Sequence, residues 1–316
     1  FFRIIFTCFT AFMGDKIMFN LITILGPTAT GKTKLAARLA KELNGEIISS
    51  DSRQVYKYMN IGTGKDLKDY IVEGQTISYH LIDIAEPTEE YNLYRFTIDF
   101  YNAYNKIKEK KKTPFLVGGT GLYVSSIIQN YKLKQADFNS LRRKELEELS
   151  EPQLRELLLN LKPNPHNITD QTEKDRIIKA ILIEESNSDA LPKDIQSPNS
   201  LNIGIKLERD KIRKRITKRL EERLNEGMIK EVKDLLKRGV TFEKLAYFGL
   251  EYKYLGLYLE GKLSYNEMFQ KLNTAIHRFA KRQMTWFRKM EREGVKINWF
   301  EGKDFNIVLS FIKENY

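Results

Sequence analysis

Eight consecutive residues, Gly26-Pro27-Thr28-Ala29-Thr30-Gly31-Lys32-Thr33, satisfy the spacing G-x-x-x-x-G-K-[ST] in full. Such a loop turns backbone N–H groups inward on a phosphate, places a lysine on its oxygens and ends on a hydroxyl that can ligate Mg²⁺. The motif specifies a pyrophosphate and leaves open whether a nucleotide carries it. A second stretch, Ser50-Asp51-Ser52-Arg53-Gln54-Val55-Tyr56, puts a carboxylate among polar side chains, and a third, Gly118-Gly119-Thr120-Gly121-Leu122-Tyr123, offers little side chain to obstruct a ligand. Each of the last two also has a plainer reading, Asp51 as a cap or turn aspartate and the glycines as an ordinary turn.

For these stretches to meet, they must leave strands at one edge of a sheet. Short apolar runs at 19–25, 46–50, 78–84, 114–117 and 201–207 alternate with helical patterns at 32–43 and 96–111, the grammar of an α/β fold with a parallel sheet. A ligand in such a sheet binds outside the carboxyl ends of the strands, where all three stretches begin. Residues 141–185 change to a helical period broken by Pro163 and Pro165, and 187–200 is rich in Ser, Asn, Asp and Pro and reads as a loop. A basic helical remainder follows, ending in a strand expected at 295–300. The expected architecture is a P-loop parallel-sheet core (19–131 and 201–316), with basic helices in its C-terminal part and a helical insertion domain at 132–200.

Composition narrows the partners. Lys and Arg number 53 against 42 Asp and Glu, a net charge of +11, so polyanions and nucleic acid first among them are to be tested. One cysteine, Cys8, excludes an intrachain disulfide and multi-cysteine zinc sites, and three scattered histidines make a His-based metal site a poor reading. That usage suits a reducing cytoplasm. The apolar segment 1–13 carries Arg3 and is too short to span a bilayer. It is read, with the rest of 1–18, as an upstream-translated or partial leader, and no membrane association is expected.

Six segments in order, G-P-T-A-T-G-K-T, S-D-S-R-Q-V-Y, I-G-T-G-K (61–65), H-L-I-D (80–83), V-G-G-T-G-L-Y and F-A-K-R-Q-M-T-W-F-R (279–288), resemble the tRNA dimethylallyltransferases, or tRNA isopentenyltransferases, over nearly the whole chain. The resemblance implies transfer of a dimethylallyl group from dimethylallyl diphosphate to the exocyclic N6 of the adenine 3′ of the anticodon in tRNA. It implies Mg²⁺ as well. Two segments depart from the family pattern: Gln-Arg-x-x-Arg in the insertion reads Asp175-Arg176-Ile177-Ile178-Lys179, and a Gly-Tyr pair reads Gly249-Leu250.

An adenine amine is a poor nucleophile, because its lone pair is delocalised into the ring, so the reaction needs a base, and Asp51 is the candidate. The departing diphosphate needs preformed donors and cations. Gly26 to Thr33 form the candidate diphosphate site, with Thr28 and Lys32 acting directly and Thr33 holding Mg²⁺. Lys211, Arg215, Arg219 and Arg223 recur at i+4, and residues 209–238 hold 12 basic against 6 acidic side chains. The plainer reading of this face is a solvated one with salt bridges to Glu222 and Glu226. By its place in the family pattern Arg219 resembles the diphosphate-contacting arginine, with Arg215 in reserve. Ser52, Arg53, Gln54 and Thr120 are candidates for reading the target base. Arg142, Arg176, Lys179, Arg278 and Arg282 are candidates for tRNA phosphates. Phe279 and Trp286 read as core. The chain is taken to act as a monomer. Three other readings stay open: a P-loop kinase or ATPase with Asp83 or Asp51 on Mg²⁺, a prenyltransferase acting on free adenine nucleotides, and an RNA-binding protein with a relict loop.

Overall fold

The structure is a computed structural model that describes residues 19–138, 140–163, 174–186, 197–302 and 304–316. The expected leader at 1–18, Pro165 and the loop stretch 187–196 lie outside the described residues. In chain order the strands are β1 (Leu21–Leu25), β2 (Gly45–Ser49), β3 (Ile71–Val72), β4 (Gln75–Thr76), β5 (Tyr79–His80), β6 (Thr113–Gly118), β7 (Ser200–Lys206) and β8 (Asn298–Glu301). The helices are α1 (Lys32–Glu42), α2 (Leu93–Glu109), α3 (Gly121–Ile128), α4 (Leu141–Glu147), α5 (Glu151–Leu161), α6 (Lys174–Glu185), α7 (Arg209–Asn225), α8 (Met228–Lys237), α9 (Phe242–Tyr247), α10 (Leu250–Leu259), α11 (Tyr265–Arg292) and α12 (Phe305–Asn315).

Six strands form one parallel sheet in the order β5-β2-β6-β1-β7-β8. Its central strands are apolar on both faces, as a parallel sheet covered on both sides must be. Ile22, Ile24, Phe115, Leu201, Ile203 and Ile205 face α1 and α12, whereas Leu21, Ile48 and Leu116 face the cluster built by α2, α3, α7, α8, α10 and α11. Strand β5 ends sooner than its apolar sequence suggests. Leu81 and Asp83 take left-handed backbone (φ 63° and 56°), and the Asp83 carboxylate turns onto the buried Lys65 ammonium, so a side chain far along the chain ends the strand.

Helices α4, α5 and α6 pack around an apolar cluster of their own, Leu146, Leu154, Leu158, Ile177, Ile178, Ile181 and Leu182. Among the described residues no helix is long and apolar enough to cross a membrane.

The longest helix, α11, opens with a capping box between Ser264 and Glu267 and buries one stripe, including Ile276, Ala280, Gln283, Phe287 and Met290. That stripe crosses the start of α3. The Trp286 indole lies on Gly121, where an added Cβ would sit 2.4 Å from the ring, and its Nε1–H donates to Ser125 Oγ at 2.7 Å. Gly121→Ala should therefore overpack this crossing, at a cost of roughly 1–3 kcal/mol. The expected outcome is a lowered thermal midpoint and a shifted Trp286 emission, read by calorimetry and fluorescence.

Candidate active site

All three chemistry-bearing stretches leave the carboxyl ends of adjacent strands, β1, β2 and β6, and meet in one cavity of about 720 Å³. Its floor is the turn between β1 and α1. Gly31 precedes α1 with φ 84°, a left-handed conformation that glycine adopts without strain, and Ala29 is left-handed as well at φ 64°. The alternation turns the loop into a concave nest at the N-terminus of α1, which favours an anion. Thr28, Ala29, Gly31, Lys32 and Thr33 line the cavity. Gly26, Pro27 and Thr30, assigned to diphosphate from the motif, do not line it: Gly26 packs against the β7 backbone, and the Thr30 hydroxyl and Lys32 Nζ donate to Pro27 O at 3.0 and 2.7 Å.

One N–H of the loop is already committed. Thr28 N donates to Gln283 Oε1 at 2.9 Å, while Gln283 Nε2 donates to Gly119 O at 2.8 Å, so a single buried amide on α11 ties the β1–α1 turn to the β6–α3 turn. Thr28 therefore offers the cavity its hydroxyl. The sequence carried a signal for Gln283, an amide on an otherwise apolar helical stripe, but not for its partners.

Asp51 follows β2 and lines the cavity. Its Oδ1 accepts from Arg53 N at 2.9 Å, which fixes the side chain in a turn, and Oδ2 has no hydrogen-bond partner among the described residues. The turn reading of Asp51 thus holds on Oδ1, and Oδ2 is left open to the cavity. Ser52 N donates to Thr120 Oγ1 at 3.2 Å, holding the two candidate base-reading residues together at the rim. Gln54, assigned to base reading, lines the cavity, and both ends of its amide are engaged within the protein: Oε1 accepts from Ser49 Oγ at 3.1 Å and Nε2 donates to Gly64 O at 3.1 Å. Arg53 lies over the Tyr247 ring, 4.9 Å from its centre.

The loop 60–66 forms the opposite wall. Glu231 on α8 accepts from three successive N–H groups, Asn60, Ile61 and Gly62, at 2.7, 2.7 and 2.9 Å and from the Tyr252 hydroxyl at 2.8 Å. Lys65 is fully buried and donates to Tyr56 O, Asn60 Oδ1 and Asp83. Asp83 is thereby spent on Lys65 and does not line the cavity, which removes it as a Mg²⁺ ligand. Gly64, at φ +62°, lies directly under two guanidiniums: a Cβ there would come within 1.5 Å of Arg223 and 2.8 Å of Arg219.

Arg215, Arg219 and Arg223 share the cavity face of α7, whereas Lys211 pairs with Glu208 outside it. Arg219 is ion-paired with Asp66, and Arg223 stands 3.9 Å from Glu251. Burial first, the Arg219 charge second, hold Lys32 at a pKa of about 7, with Asp51 opposing them. Burial raises the Glu251 carboxyl, and Arg223 opposes the shift. Ala29, Val117, Phe248, Leu250, Ile276 and Phe279 supply apolar wall. Phe279, read from the sequence as core, is 37% exposed because its side of α11 faces this opening.

The candidate RNA contacts are spread more widely. Arg282 lines the cavity, 6.0 Å from the Phe279 ring centre, and Arg278 is exposed on the same helix. In the insertion Arg142 is held by Glu145 and Glu185, Lys179 by Asp175, and Arg176 is exposed on α6.

Two family profiles match the chain, IPP transferase over residues 54–290 and isopentenyl transferase over residues 19–81. The chain is 52% identical to tRNA dimethylallyltransferase 1 of Azobacteroides pseudotrichonymphae, over 91% of this chain and 95% of that one. It is 52% identical to tRNA dimethylallyltransferase 2 of Phocaeicola vulgatus, over 90% and 92%. A crystal structure of a full-length tRNA isopentenylpyrophosphate transferase from Bacillus halodurans superposes with a TM-score of 0.68 at 33% identity, over 94% of this chain and 97% of that one.

A phosphate brought against Lys32 favours its ammonium and raises its pKa from about 7. Binding therefore takes up a proton above pH 7, and affinity falls as pH rises until the pKa of the complex is reached. Calorimetry of a diphosphate ligand at pH 8 in two buffers of different ionisation enthalpy should show this uptake, and Lys32→Arg, charged throughout, should lack it.

Proposed function

The chain belongs to the IPP transferase family, and from that premise we propose that it transfers a dimethylallyl group from dimethylallyl diphosphate to the exocyclic N6 of the adenine 3′ of the anticodon in tRNA, releasing diphosphate. The observation that carries this reading is one cavity containing a phosphate nest, a carboxylate with a free oxygen and an apolar wall. A kinase or ATPase would use the nest but leaves the apolar wall without a role.

In the proposed reaction N6 attacks the first carbon of the prenyl chain, the bond from that carbon to the diphosphate oxygen breaks, and Asp51 takes the amine proton. Oδ2 is the accepting atom, since Oδ1 already holds Arg53 N. Lys32, Arg219, the Thr28 hydroxyl and the N-terminus of α1 receive the negative charge that develops on the leaving group. The Thr33 hydroxyl fits Mg²⁺, which commonly takes one or two protein oxygens and completes its shell with phosphate and water. Mg²⁺ bound there would neutralise diphosphate charge. The apolar wall would shield the prenyl chain from water.

Ser52, Arg53 and Thr120 stand at the rim beside Asp51 and would orient the adenine, with Gln54 bracing the loop beneath them. A base must leave its stack to reach that depth, and one in an anticodon loop does so at small cost. Arg278 and Arg282, with Arg142, Arg176 and Lys179 of the insertion, would follow the RNA backbone and lend affinity without sequence choice. The insertion is read as a tRNA-contacting domain on this ground. The form we propose is a monomer in the cytoplasm.

Asp51→Ala is expected to retain donor and tRNA binding and to lose turnover by roughly 10²–10⁴-fold. Single-turnover transfer with labelled donor measures the loss, and turnover at the wild-type rate would reject Asp51 as base.

Whole tRNA, an anticodon stem-loop, AMP and ATP compared as acceptors should give label in the first two, with binding of both weakening steeply as salt rises. Efficient labelling of AMP with inert tRNA would assign the chain to the free-nucleotide prenyltransferases.

A further inference from the structure

The two arginines beside Gly64 are not equally satisfied. Arg219 has a carboxylate partner in Asp66. Arg223, one helical turn later, is only 12% exposed and makes no hydrogen bond among the described residues. Its Nε is fully buried without a partner, and its nearest carboxylate, Glu251, lies 3.9 Å away, beyond hydrogen-bond reach. Native structures seldom leave such donors unpaired, because each unpaired group forfeits its hydration. The guanidinium also faces the cavity, and it lies against Gly64, which has no side chain to separate it from the space where Arg219 reaches Asp66.

We propose that Arg223 is a second diphosphate-binding arginine, whose unpaired N–H groups are completed by phosphate oxygens of the prenyl donor. This rests on the reading of the cavity as the donor site. A planar guanidinium can present two parallel N–H bonds to a phosphate, which suits a group that must hold a leaving anion in a fixed orientation. The electrostatics run the same way. Burial, and next the neighbouring Arg219 charge, hold the Arg223 pKa below the usual arginine range, and the same Arg219 charge lowers Lys32, so the empty site carries positive charge that an incoming anion relieves. Glu251 is a loose counter-charge at 3.9 Å, close enough to keep Arg223 in place and too far to occupy its donors.

An RNA phosphate would satisfy the same donors, so the test separates the two sources. Binding of inorganic pyrophosphate and of dimethylallyl diphosphate, each with Mg²⁺, and binding of tRNA are measured by calorimetry for the wild type, Arg223→Met and Arg223→Gln. Met keeps the length of the side chain without charge. Gln keeps a polar partner for Glu251 and serves if the Met variant does not fold, with the thermal midpoint reporting folding for both. The expected result is that both diphosphates bind about 10- to 100-fold more weakly, as for the loss of charge-assisted hydrogen bonds, with a matching rise in KM for the donor and unchanged tRNA affinity. Unchanged diphosphate affinity in a folded variant overturns the proposal, and so does a loss confined to tRNA. A wild-type chain that binds tRNA but neither diphosphate rejects the donor-site reading itself, an outcome distinct from failure of Arg223 alone.

Discussion

Positive charge crowded into a partly dehydrated cavity is the constraint that organises this molecule. Lys32 at the start of α1 and Arg223 on α7 lose basicity, first to burial and next to the charge of Arg219 between them on the cavity wall, and Asp51, Asp66 and Glu251 compensate this only in part. Folding these cations together costs free energy that burial elsewhere must offset, since like charges in a medium less polarisable than water repel strongly. The apolar sheet faces and the cluster beneath α7 and α11 supply that burial. What the fold retains is a site with a surplus of positive charge.

Holding such a site open requires rigid braces, and two side chains provide them, the buried Gln283 and the half-buried Glu231. Gln283 bridges the two turns above the sheet, so that α11 fixes the phosphate nest relative to the Gly118–Gly121 turn. Glu231 gathers three N–H groups of the loop 60–62 and anchors that loop to α8 and α10. Both act through hydrogen bonds to backbone groups, which cannot rearrange without moving the chain. The I-G-T-G-K segment is therefore architecture: its lysine is consumed by Tyr56, Asn60 and Asp83, and Gly64 makes room for the two guanidiniums.

The division of labour on Asp51 shows why a motif and its geometry answer different questions. Spacing alone leaves Asp51 between a turn residue and a chemical group; in the structure Oδ1 serves the turn and Oδ2 is without a partner among the described residues. Gln54 went the other way. Its polar type next to Asp51 suggests base reading, yet both ends of its amide brace the protein, because the loop 60–66 folds back within reach of it.

The sequence by itself determined the α/β order, the phosphate nest, the carboxylate at the edge of the sheet and the basic stripe of α7. All of these rest on local features: a period of two or of 3.6, a glycine where the backbone turns, charges four residues apart. Only the tertiary structure decided which members of those sets face the cavity and which are consumed elsewhere. Asp83 was taken by a lysine 18 residues away, Thr28 N–H by a glutamine 255 residues away, and Phe279 was left uncovered at the opening although it looks like core. The physical reason is that a hydrogen bond or a covered ring needs a partner in space, and that partner is set by how the helices pack on the sheet, which no local pattern contains.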